Sequence, residues 1–216
     1  VVAADGKWEL IDSDDGIDTY KMTHPGTDVC TFRGVGFVDA KMEIVGEVIR
    51  DIPAYPEWMA KCKEARVLKH IDRNTKIFYN VINAPFPYSD RDMVVGNQTI
   101  YDLEKGVADI SFGIAKDFAF PEDDRYFRLT ELAGKYYIEY FGRNKTRVTY
   151  IHRAHPGGNI PVLIANRVEI QRYPAINIKG IREMAEKEKY IKAGRQSPEY
   201  DLIEKMISKE ENVEKV

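Results

Sequence analysis

Long hydrophobic runs are missing from this chain. Stretches such as residues 160–165 fall far short of the about 20 apolar residues that a bilayer-crossing helix needs, which excludes a membrane-spanning helix. An excess of positive charge is missing too. The chain carries 32 Lys and Arg against 35 Asp and Glu, a net charge of −3. An electrostatic grip on nucleic acid needs clustered Lys and Arg that displace counterions, and no arginine–aromatic stripe supplies it, so no nucleic-acid partner is expected. Cysteine is scarce. Cys30 and Cys62 cannot form a metal site alone, and their spacing suits no zinc motif; two buried thiols that pack as small hydrophobes are expected.

Catalytic signatures are equally thin. Ser89 lacks the G-x-S-x-G setting of a nucleophile elbow, and no glycine loop is built to cradle phosphate. His24 and His70 have no companions in sequence. His152 and His155 stand three apart, a spacing that sends strand residues to opposite faces and makes them poor joint metal ligands. The acidic groups Asp14-Asp15 and Glu122-Asp123-Asp124 read as solvated turns. Neither a metal nor a cofactor is expected. The chain starts Val1-Val2-Ala3-Ala4-Asp5 without methionine, as it would after signal-peptide cleavage or after a cloning truncation. A soluble protein is expected, periplasmic or secreted rather than cytoplasmic.

What is present is an ordinary globule of 216 residues, 44% hydrophobic and 31% charged. One domain of this length buries roughly 70% of its unfolded surface, enough to enclose a cavity and stay folded. Its 13 tyrosines offer rings with one polar tip, suited to a mixed pocket wall.

The chain begins with three short strands, near residues 8–11, 17–22 and 29–38, turned by Asp14-Asp15-Gly16 and His24-Pro25-Gly26. Gly34 and Gly36 share one face of the third, where glycine signals bending or a group pressed close. Ile44, Val45, Val48, Ile49 and Ile52 then recur at helical spacing until Pro53 and Pro56 interrupt. A second short helix carries Trp58. Strands follow at 65–71, 76–82, 91–103, 107–115, 126–131, 135–141 and 146–154, and those joined by tight turns must be antiparallel. The last third is helical, starting near Pro161 and kinked at Pro174. Ser197-Pro198 supplies an N-cap and N1 pair for a final helix with Leu202, Ile203, Met206 and Ile207 on one stripe. This order predicts an α+β fold: a curved antiparallel sheet wrapped around a long kinked C-terminal helix, with two short helices inserted after the third strand.

Several segments together, DDGIDTY, FRGVGFVDA, VIRDIPAYPEWMAKCKEARVLK, PFPYSDRDMVV, GKYYIEYF and TRVTYIHRAHPGGNIP, resemble the START domain, the steroidogenic-acute-regulatory-related lipid-transfer module. The chain looks like a bacterial-type stand-alone member within the Bet v 1-like helix-grip superfamily. The resemblance implies a START-like lipid-binding domain over residues 1–196, and the stripe on the final helix marks an amphipathic helical extension over 197–216. It also implies a tunnel for one lipid-like molecule, closed by the 84–90 loop and the C-terminal helix. Sterol-binding members carry an acid–arginine pair in that tunnel; the matching positions here fall near Phe78 and Asn97, so a sterol does not carry over.

Individual residues follow from this frame. Pro85 and Pro87 stiffen the loop, letting Phe86 and Tyr88 cover apolar ligand surface. Arg91 points away from Asp90 and Asp92, so a buried guanidinium would need an acid from another element, backbone carbonyls or an anionic head group. Alternation in 107–115 turns Ala108, Ile110, Phe112 and Ile114 inward. Tyr79, Asn97, Tyr137 and Tyr150 are candidate polar tips on neighbouring strands, with Asn166 and Ile170 from the helix. The expected function is non-enzymatic carriage or sensing of one hydrophobic molecule, with transient contact to a membrane surface. Gly157-Gly158 is a candidate hinge for its release. The alternatives are a cyclase/aromatase-like enzyme using the same cavity, or an interaction module docking through 197–216.

Overall fold

The structure, a computed structural model, describes residues 6–102, 104–158, 160–161 and 168–213. Ten strands form one sheet: β1 (Glu9–Asp14), β2 (Ile17–His24), β3 (Thr27–Val38), β4 (Cys62–His70), β5 (Thr75–Ile82), β6 (Arg91–Asp102), β7 (Val107–Ile114), β8 (Phe127–Arg128), β9 (Leu132–Tyr140) and β10 (Thr146–Ala154). Their spatial order is β1-β2-β3-β10-β9-β7-β6-β5-β4, every pair on that path being antiparallel. The crossover from β3 to β10 lets the two ends of the chain share one sheet. The strand expected over 126–131 shrinks to β8, which pairs parallel with β6. The segment before it instead crosses the outside of the sheet, where Phe118, Phe120 and Tyr126 pack on Tyr79, Val81 and Val94.

Local chemistry explains the punctuation. Asp15 and Gly16 both take positive φ in the turn joining β1 to β2, the geometry that Asp-Gly hairpins favour. The apolar spacing over 44–52 becomes α1 (Met42–Arg50), which buries Met42, Ile44, Val45, Val48 and Ile49. A short 3-10 turn (Ile52–Ala54) and α2 (Tyr55–Trp58) follow, each with a proline in its first turn.

The C-terminal region is divided. α3 (Val168–Gln171) and α4 (Tyr173–Ala185) meet beside Pro174, which sits in the first turn of α4; residues 162–167 lie outside the described residues. α5 (Glu188–Arg195) turns back onto α1, with Gly194 against Ile44. α6 (Tyr200–Val213) buries Ile203 and Ile207 in the main core and leaves Leu202 exposed. Ser197 does not cap α6 through its side chain: its Oγ has no partner, and the turn closes through the Tyr200 N–H donating to the Ser197 carbonyl at 3.1 Å. Ion pairs from Lys41 to Glu204 and from Arg73 to Glu199 tie this extension to the domain.

α4 lies across the inner face of β3 because the strand has no side chains in its path. A Cβ on Gly34 would stand 2.7 Å from the Cβ of Pro174, and one on Gly36 would stand 2.8 Å from Ile17 Cγ1 and 3.2 Å from Ile178 Cγ2. On the helix, a Cβ on Gly180 would sit 2.5 Å from the Trp58 carbonyl oxygen of α2. Glycine on both surfaces seats the helix, with Ile178, Ile181 and Met184 buried. Gly34→Ala should therefore destabilise the fold by about 1–3 kcal/mol through overpacking. A lowered urea midpoint with an unchanged slope checks this, and an unchanged midpoint would mean that α4 shifts freely.

Candidate functional site

Strand alternation builds the wall of a cavity between sheet and helices. Phe78, Asn80 and Ile82 of β5, Arg91, Met93, Val95 and Asn97 of β6, and Ile110 and Phe112 of β7 face it. Leu132 and Tyr136 of β9, Tyr150, His152 and Ala154 of β10, and Cys30 and Phe32 of β3 continue the wall. Tyr55 and Met59 close one side, and Ile170, Tyr173 and Asn177 of the C-terminal helices another. The hollow measures about 180 Å³, over ten times the roughly 15 Å³ that one water needs. Packing defects in ordinary cores are far smaller.

The expected residues divide accordingly. Asn97, Ile110, Phe112, Tyr150, Ile170, Pro85 and Arg91 stand on the cavity wall. Ile114 is partly buried at the margin of the core and off that wall. Tyr79 and Tyr137 occupy the opposite strand faces. The Tyr79 hydroxyl donates to Asp92 at 3.0 Å, and Asp92 is also held by Arg128 through bonds of 2.9 and 2.8 Å. Tyr137 lies under the Lys135 ammonium, 5.4 Å from its ring centre. Asn166 lies outside the described residues.

Polar and aromatic groups outside the expected set of cavity residues complete the wall. Tyr136, next to Tyr137, is the inward residue of β9 because the register places it opposite Tyr150; their rings lie 4.5 Å apart. Asn177 accepts from the Ala60 N–H at 2.8 Å and donates to the Tyr136 hydroxyl at 3.5 Å, pinning α4 to both α2's exit and the sheet. Burial raises Tyr55, Tyr136 and Tyr150 well above the usual phenol range, so all three are neutral hydroxyls. Alternation within 146–154 was the signal for His152, in phase with Val148 and Tyr150. His155 reaches the same wall, because β10 ends at Ala154 and alternation stops with it. The two histidines thus share the cavity, against the expectation of opposite faces. Among the described residues no group of three or more metal-ligating side chains exists.

Arg91 is buried, and neutral carbonyls satisfy it. Its Nε donates to Pro156 at 3.2 Å, one Nη donates to Gly157 at 3.4 Å, and the other donates to Ser89. Asp90 and Asp92 point elsewhere, Asp90 to Lys63 at 2.8 Å. The Phe127 ring covers the guanidinium at 5.5 Å. It also fills the space where Cβ atoms on Gly157 and Gly158 would fall, at 2.3 and 2.9 Å; both glycines have positive φ. Arg91 therefore clamps the 156–158 turn to the start of β6 at the cavity rim. Phe86 does not cover the cavity: the Pro85–Pro87 turn, closed by the Tyr88 N–H to the Pro85 carbonyl at 3.0 Å, sends its ring outward, 98% exposed.

A sheet curled around a C-terminal helix, with a cavity between them, defines a helix-grip protein. The START domain family matches residues 2–177, and the chain belongs to that family. An uncharacterized protein of Pseudomonas aeruginosa is 28% identical over 180 residues, 83% of this chain and 87% of that one. The phosphatidylcholine transfer protein of Bos taurus is 26% identical over 162 residues, 74% of this chain and 75% of that one. Among solved structures, a STAR-related lipid transfer protein fragment from Xanthomonas axonopodis superposes with a TM-score of 0.76 at 26% identity, covering 83% of this chain and 99% of that one. Among the described residues no helix is long and apolar enough to cross a membrane.

Two outcomes test this geometry. Arg91→Leu strands three carbonyls and should cost roughly 2–4 kcal/mol of stability. Arg91→Lys should recover little of it, because one ammonium cannot reproduce the guanidinium fork; full recovery in chemical denaturation would reduce Arg91 to a point charge. His152 is pushed down to about 4 from its ordinary 6.5 by burial alone. A depressed histidine contributes stability that is present above pH 6.5 and lost as pH falls toward 4. The His152→Phe variant should lack up to about 3 kcal/mol of that pH-dependent loss, read as the difference between wild-type and variant melting curves across the window.

Proposed function

We infer that this protein binds one lipid-like molecule in its cavity and carries or senses it without chemical change. The carrying observation is the cavity itself: an apolar wall kept open between sheet and α4, with a few polar side chains set into it. That composition is what ligand pockets require. Family membership and the lipid-transfer names of its relatives support the same reading.

The driving force is removal of apolar area from water. Each buried methylene is worth about 0.8 kcal/mol, so a sixteen-carbon chain gains on the order of 12 kcal/mol on leaving water. Release requires the rim to move. The rim comprises the 83–85 loop, the turn clamped by Arg91 and the start of the helical region, and Phe86 at its outer edge offers an apolar side chain to a membrane surface. Within the 197–216 extension, α6 buries Ile203 and Ile207 in the main core, which favours a packing role over docking of a partner.

Native mass spectrometry of gently purified protein should find one lipid per chain, or one per chain after incubation with vesicles. Leu132→Trp, which places an indole in the cavity, should cut uptake of a pyrene-labelled acyl lipid by about tenfold or more while circular dichroism stays native. A wild-type protein that takes up no lipid from vesicles of any composition would remove this reading.

A further inference from the structure

Among the described residues, one buried polar side chain on the cavity wall has an atom with no work in the protein. His152 is 7% exposed, and its Nδ1 has no hydrogen-bond partner among the described residues. Its neighbours on the wall are engaged: Asn97 accepts from the Lys76 N–H at 3.1 Å, Asn177 serves Ala60 and Tyr136, and Arg91 serves its carbonyls. Three rings stand around His152, with centres at 5.4 Å for Tyr150, 5.8 Å for Phe32 and 6.5 Å for Tyr173. A fully buried imidazole with an unmet nitrogen costs stability, and an apolar side chain would fill the same place at no such cost. An unsatisfied group of this kind calls for a water or a ligand atom.

We propose that His152 is the polar anchor of the bound molecule and takes the hydroxyl of an uncharged, otherwise apolar lipid. The proposal rests on the cavity-binding reading above and specifies the head group. Charge excludes other heads at this point. Among the described residues no Asp or Glu lines the wall, so a cationic head would find no counter-charge there; Arg91, at the rim, is the one Lys or Arg among them and is held by carbonyls. Burial keeps the imidazole neutral, and a phosphate or carboxylate seated against it would be an unpaired buried charge, costly by several kcal/mol. A hydroxyl both donates and accepts, so it satisfies a neutral imidazole in either tautomer.

Hexadecanol and heptadecane match in heavy-atom number and differ at one end, and palmitate adds charge there. Each is set to compete with a pyrene-labelled acyl probe for the wild-type protein and for His152→Phe. The hexadecanol-to-heptadecane affinity ratio should be about tenfold higher in wild type than in the variant. In wild type alone, the His152 ring nitrogens should shift in NMR spectra on adding hexadecanol and stay put with heptadecane, a readout independent of how the variant folds. Equal ratios with both ligands bound, or ring signals indifferent to the alcohol, overturn the anchor and leave lipid carriage standing. Palmitate outcompeting hexadecanol in both proteins overturns it in favour of Arg91. Failure of every probe to bind wild type overturns the anchor together with the cavity-binding reading.

Discussion

The seat of α4 on β3 is the constraint from which the rest of this molecule follows. Two sheet glycines and one helix glycine remove three side chains from the contact, and Pro174, Ile178 and the Trp58 carbonyl move into the vacated space. Close approach at that edge lets the sheet curl around the helix and meet α1 and α2 on the far side. Beyond the contact, large side chains from β5, β6, β7 and β10 hold the other wall away. A hollow remains because contact is tight at one end and propped at the other. Interiors are otherwise close-packed, so a persistent hollow needs such a frame.

The two faces of the sheet do different jobs. Inward residues of β5 and β6 are mostly apolar and face the cavity. Outward ones form a second small core with the 115–126 segment, closed by the Arg128–Asp92–Tyr79 cluster. That outer layer covers β5 and β6 where they border the cavity, so both faces of these strands are sheltered. It also accounts for the acid beside Arg91: Asp92 belongs to the outer layer, and Arg91 to the rim. One dipeptide serves two surfaces because successive strand residues point in opposite directions.

Much of the architecture was legible along the chain. Helical spacing over Ile44–Ile52 gave α1, the Asp15-Gly16 turn gave the first hairpin, and paired glycines at 34 and 36 marked the place where another group presses close. Within the site, the apolar phase of 107–115 placed Ile110 and Phe112. Tyrosine assignments were harder. Tyr79 and Tyr137 sit on strands apolar on both faces, so alternation leaves the sign of the face open, and only pairing with Asp92 and Lys135 decides it. His155 escaped alternation because β10 stops one residue earlier. The parallel pairing of β8 with β6 left no mark in the sequence, since a two-residue strand is made by its partner's free edge.

Sequence alone determined the class of fold and the family, because periodicity, turn chemistry and the order of short motifs are local properties that survive without coordinates. It also showed no excess of Lys and Arg over Asp and Glu and no apolar run of bilayer length. Tertiary structure decided which side of each strand sees the cavity, where the Arg91 guanidinium spends its hydrogen bonds, and that His152 is left with an unmet nitrogen. Those depend on register, burial and the partners that distant segments bring, and a pattern with period two specifies a pair of faces without saying which of them is inside.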